Sequence, residues 1–175
     1  SSDVCSSDLN NALVVKVLSD DSILVGGTFN NYNGTSVDRL VKLDEDGVLD
    51  SSFTANLTAV NGQVHEIFVD GSSIYAGGEF TNRIVKLNSD GTTDGSFMSS
   101  FNSRVTSIKK DSNGKIIVGG WFDQLNSASC NPGIVRLNGD GTLDSTFATE
   151  GSGLNSPNGI VQTVCVQAKI GRAHV

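Results

Sequence analysis

The chain has 175 residues, 37% of them hydrophobic, with 20 Gly and only 2 Pro. That balance favours many short strands joined by tight turns over long helices. The formal net charge of −7, without a basic run or an aromatic–basic stripe, argues against a nucleic-acid partner, and no apolar stretch approaches the length of a membrane span.

The first element met is not structural. The C-terminus reads Ile170-Gly171-Arg172-Ala173-His174-Val175. One back-translation with a stop codon is ATC GGA AGA GCA CAC GTC TGA. Its reverse complement translates as Ser-Asp-Val-Cys-Ser-Ser-Asp, which is Ser2 to Asp8 of the same chain. One DNA segment read in opposite orientations therefore explains both ends, and it resembles a short-read sequencing adapter. The expectation is that residues 1–9 and 170–175 are adapter-derived rather than native. Cys5 and His174 then carry no function, and the native protein continues past both ends.

From residue 10 the chain repeats. The first unit has Val14-x-x-Val17, then Ile23-Leu24-Val25-Gly26-Gly27-Thr28-Phe29. It continues with Arg39-Leu40-Val41-Lys42-Leu43, Asp46-Gly47 and Leu49-Asp50-Ser51-Ser52-Phe53. The second unit has Val64-x-x-Ile67, Gly77-Gly78-Glu79-Phe80, Arg83-Ile84-Val85-Lys86-Leu87, Asp90-Gly91 and Asp94-Gly95-Ser96-Phe97. The third has Val105-x-x-Ile108, Gly119-Gly120-Trp121-Phe122, Ile134-Val135-Arg136-Leu137, Asp140-Gly141 and Asp144-Ser145-Thr146-Phe147. A fourth begins at Val161-x-x-Val164. The motifs keep their internal spacing while the Asn/Ser/Gly/Thr segments between them vary, as in a stack of supersecondary units.

Each unit reads as β. Its apolar segments are short, β-branched and bounded by turn residues, and none offers helical periodicity over ten or more residues. The first strand is followed by turns at Ser19–Ser22, Asp70–Ser73 and Asp111–Gly114, a Gly-Gly strand, a third strand and, past Asp-Gly, a short fourth strand ending in Phe. This predicts an all-β, incomplete β-propeller: about three four-stranded antiparallel blades at 10–58, 59–101 and 102–154, with the start of a fourth at 155–169. Such an open arc cannot close a ring without further blades, and its terminal blades expose apolar faces that favour aggregation. The paired glycines imply close backbone approach or a bulge.

The third unit's Ile116-Ile117-Val118-Gly119-Gly120-Trp121-Phe122, with Ile134 to Phe147, resembles the bacterial delta-60 repeat family. The resemblance covers nearly all of residues 10–168. It implies a β-propeller repeat of unknown function in a surface, secreted or phage-virion protein, and it brings no catalytic residue to carry over. The second unit departs from the pattern at Thr93, where the others have Leu, and in its short link from Phe80 to Arg83.

Candidate chemistry is sparse. Asp44/Asp46/Asp50, Asn88/Asp90/Asp94 and Asn138/Asp140/Asp144 resemble parts of calcium loops. Position five holds Val48, Thr92 or Thr142 and no Glu follows at the twelfth, so they read as turns and not as metal sites. His65 has no neighbouring His or Cys in the sequence and makes neither a zinc site nor a triad. Cys130 and Cys165 read as unpaired thiols. Asn33-Gly34-Thr35 and Asn56-Leu57-Thr58 match glycosylation acceptors, a pattern that Asn-rich turns also produce by chance. Trp121 breaks the repeat, standing where the other units have Thr28 and Glu79. It is either a core or inter-blade aromatic, or a carbohydrate or protein contact. The expected function is a non-catalytic binding or structural module, with no cofactor and an unidentified protein or carbohydrate partner. The alternatives are a carbohydrate-active propeller enzyme and a purely architectural spacer.

Overall fold

The computed structural model describes residues 11–147 and 159–167. The predicted adapter-derived ends, with Cys5 and His174, lie outside the described residues, as does the expected boundary between the third and fourth units.

In chain order the first unit contributes β1 (Ala12–Val17), β2 (Ile23–Gly27), β3 (Asn31–Tyr32), β4 (Thr35–Ser36), β5 (Leu40–Leu43) and α1 (Ser51–Asn56). The second contributes β6 (Gln63–Asp70), β7 (Ser73–Glu79) and β8 (Ile84–Leu87). The third contributes β9 (Val105–Lys110), β10 (Ile116–Gly120), β11 (Gln124–Leu125), β12 (Ala128–Ser129) and β13 (Ile134–Leu137). Three antiparallel sheets result, ordered β1-β2-β5, β6-β7-β8 and β9-β10-β13. They stack in sequence, and none closes on itself, which makes the chain an open, incomplete propeller.

The fourth strand of each unit is shorter than expected. It reduces to one bridge: Leu43 with Leu49, Leu87 with Thr93, and Leu137 with Leu143. The cause is the Asp that follows. Asp50 turns its carboxylate onto the backbone N–H groups of Ser52 and Phe53, both at 3.0 Å, and caps α1 instead of continuing a ladder. Asp94 and Asp144 likewise accept from the N–H of Ser96 and Thr146. Replacing Asp50 with Ala is expected to cost roughly 0.5–2 kcal/mol in urea unfolding, and Asp50→Asn much less, because Asn keeps an acceptor.

Strand pairing also corrects the register of the first unit. Val64 and Val105 pair with the second glycine of their units, Gly78 and Gly120. In the first unit Gly27 pairs with Ala12 and Val25 with Val15. The counterpart of Val64-x-x-Ile67 is therefore Ala12-x-x-Val15, two residues earlier than Val14-x-x-Val17. A two-residue slip leaves every side chain on its own face, so an alternating Val run hides it.

The paired glycines do two different jobs. A Cβ on the first would strike the next unit's first strand: Gly26 at 2.6 Å from Val64 Cγ1, Gly77 at 2.6 Å from Val105 Cγ1, and Gly119 at 2.8 Å from both Val161 and Val164. A Cβ on the second would strike the backbone of its own first strand, at the carbonyl oxygens of Asn11, Gln63 and Arg104. All three first strands carry a register shift there, so close approach and bulge are both present. The Asp-Gly turns add a second seam. Asn56 donates to the Asp90 carbonyl, Met98 N–H to that of Asp140 and the Ser99 hydroxyl to that of Gly141.

The apolar core lies between the sheets. One cluster, with Leu24, Phe53, Val64, Ile67 and Phe80, joins the first two sheets; another, with Tyr75, Phe101, Val105, Ile108 and Phe122, joins the second and third. The outer face of the first sheet is partly covered by Phe29, Tyr32 and Val37. Val15 nevertheless remains 54% exposed, whereas its counterparts Ile67 and Ile108 are fully buried.

Candidate functional site

Most of the repeated acidic residues are occupied: Asp50, Asp90, Asp94, Asp140 and Asp144 all accept hydrogen bonds. Asp44 accepts from the N–H groups of Asp46 and Val48, and Asp90 and Asp140 accept from the N–H and hydroxyl of Thr92 and Thr142. Asp94 pairs with Lys86 at 2.7 Å, and Asp144 with Arg136 at 3.0 Å. The basic residue of each third strand thus reaches an acidic partner; Lys42, with Asp20 at 3.8 Å, is the loosest case. Among the described residues no three His, Cys, Asp or Glu side chains are grouped to hold a metal ion.

These bonds shift titration. The ammonium of Lys86, aided by Ser96, lowers Asp94 to about 2. The hydroxyl and N–H of Thr146, aided by Arg136, lower Asp144 to about 2. A carboxylate whose folded pKa is depressed stabilises the fold above its unfolded pKa, here 3.8, and loses that contribution as pH falls through about 2. The melting temperature is expected to drop across that window. The Asp94→Asn/Asp144→Asn double variant should show a shallower drop; an equally steep one would remove these pairs as the cause.

Among the described residues Cys130 and Cys165 are unpaired. Burial pushes the Cys130 thiol up to about 11, which leaves it a poor nucleophile at neutral pH. His65 lies on β6, with Nε2 at 3.5 Å from Glu79 Oε1 and without a hydrogen-bond partner. It belongs to a row that sequence reasoning did not assemble. Glu79 also binds Arg104 Nε at 3.0 Å, and the Arg104 guanidinium lies 4.1 Å from the centre of the Trp121 ring. Arg104 precedes buried Val105, at the place of Asn11 and Gln63. The signal available in the sequence was its fixed place, one residue before Val105 as Gln63 is before Val64.

Trp121 is 39% exposed. It borders a cavity of about 430 Å³ lined also by Asn102, Asp123, Pro132 and Ile160. The Asn102 amide holds the far wall: Nδ2 donates to Asp123 Oδ1 at 2.6 Å, and Oδ1 accepts from the N–H groups of Asp123 and Gln124. The floor is the fully buried Phe122.

The profile of a family described as a domain of unknown function (DUF5122) β-propeller matches residues 18–53, 66–97 and 112–147. The chain belongs to the DUF5122 β-propeller family. No curated protein matches it. Each DUF5122 match ends on the Phe that follows the capping Asp: Phe53, Phe97 and Phe147. Trp121 falls inside the third match, whereas Asn102 and Arg104 fall between the second and third. The cavity therefore combines Trp121, Phe122, Asp123 and Pro132 from within the third match with Asn102 from the link before it and Ile160 from beyond it.

Proposed function

We propose that this DUF5122 chain is a non-catalytic binding or structural module of a bacterial surface or secreted protein, or of a phage virion. The observation that carries this reading is the occupation of the acidic groups. Five of the six recurring Asp carboxylates, Asp50, Asp90, Asp94, Asp140 and Asp144, serve turns or ion pairs, while the residue that departs from the repeat, Trp121, is exposed beside a cavity. A hydrolase acting on glycosides needs two carboxyl groups free to face a substrate. The likeness to delta-60 repeats supports the extracellular or virion setting. The test is incubation of the whole chain with a polysaccharide panel, reading both retention on the polymer and release of reducing ends. Retention without release is expected. Release that follows the purified chain would overturn the reading in favour of an enzyme.

A further inference from the structure

We propose that the cavity beside Trp121 binds a neutral saccharide, with the indole as its stacking wall and Asp123 as its hydroxyl acceptor. The proposal rests on the reading of the chain as a binding module and names the ligand class and the site.

The repeat supplies the first argument. A side chain required by packing recurs from unit to unit, as the Phe after this position does at Phe29, Phe80 and Phe122. The position itself holds Thr28, Glu79 and Trp121, so the fold does not need an indole there.

The second argument is rigidity. Arg104 stacks on the ring and is itself held by Glu79, and the Trp121 backbone N–H, at the base of the side chain, donates to the Arg104 carbonyl at 3.0 Å. An aromatic fixed in this way loses little conformational freedom when a ligand arrives. Ile160, 48% exposed, extends the apolar surface from the neighbouring segment.

The third argument is polarity. Asn102 is consumed in holding the loop and occupies Asp123 Oδ1, so the polar atom offered to a ligand is the second oxygen, Oδ2, of the exposed Asp123 carboxylate. A ligand with a C–H face for the indole and hydroxyl donors for a carboxylate is a sugar ring. The carboxylate and the chain's net charge of −7 disfavour acidic sugars and phosphates. The nearest cation, Arg104, is already paired with Glu79. The volume lies within the usual range for small-ligand pockets, roughly 300–1,000 Å³.

Trp121 is the sole tryptophan of the chain, so its emission reports on this cavity alone. The whole chain is titrated with cellobiose, maltose, lactose and N,N′-diacetylchitobiose, and in parallel with a proline-rich peptide. A saturable emission shift with at least one disaccharide is expected. By calorimetry, Asp123→Ala and Trp121→Thr should each weaken that binding at least tenfold. Trp121→Thr installs the residue that the first unit carries at this position, so its melt should stay near that of the parent. No shift with any of the four sugars, a shift with the peptide only, or sugar binding indifferent to Trp121→Thr would each overturn the site. None of these releases reducing ends, the one result that overturns the binding-module reading itself.

Discussion

Gly77→Ala is expected to destabilise the seam between the second and third sheets by about 1–3 kcal/mol, although it adds a single methyl group. That methyl would sit 2.6 Å from Val105 Cγ1 and 3.0 Å from Ile108 Cδ1. Both partners are fully buried, so neither can swing into solvent. Val105→Ala alone should also cost roughly 1–3 kcal/mol, through lost burial. The double variant removes the clashing methyl, and its cost should fall short of the sum by about 0.5–3 kcal/mol. Urea unfolding of the four species reads this coupling, and strict additivity would show that the two residues do not share the seam. Gly78→Ala should be worse than Gly77→Ala and have no such rescue. Its Cβ would lie at 1.9 Å from the Gln63 carbonyl oxygen, and a strand backbone cannot rotate away.

Phe122→Ala is expected to cost about 3–5 kcal/mol, a large share of the roughly 5–15 kcal/mol that holds a domain together. The ring is fully buried and lies 4.2 Å, centre to centre, from Phe101. It sits in the cluster that joins the second and third sheets and also forms the floor under Trp121. The adjacent Trp121→Thr should change stability by no more than about 0.5 kcal/mol, because it empties no core space. Neighbouring substitutions that differ this widely separate the residue that carries the fold from the residue offered to a ligand. A Phe122→Ala cost below about 1 kcal/mol would mean that the seam repacks around the missing ring.

Much of the architecture was legible because its devices recur. The Gly-Gly and Asp-Gly pairs announced turns, close approaches and a stacked β fold, and the sheets form around them. The failures have physical causes. Val14-x-x-Val17 lies two residues out of register because an alternating strand pattern is indifferent to a slip of two. The fourth strand was overestimated because Asp50, Asp94 and Asp144 spend their carboxylates on local N–H groups, a competition that hydrophobic pattern does not reveal. Trp121 was visible as a break in the repeat. Its partners were not, because Arg104 and Asn102 come from a link of variable length, and only folding sets them beside the indole.

The seam has a consequence for how such proteins grow. The second and third units each bring a bare glycine on one side, Gly77 or Gly119, and on the other a valine-bearing strand for the preceding unit's glycine, as Val64 and Val105 show. A tandem duplication of one unit thus arrives with both halves of the joint already matched, and no compensating substitution is required at the new boundary. Copy number in this lineage can drift by whole units while the chemistry of each joint stays constant.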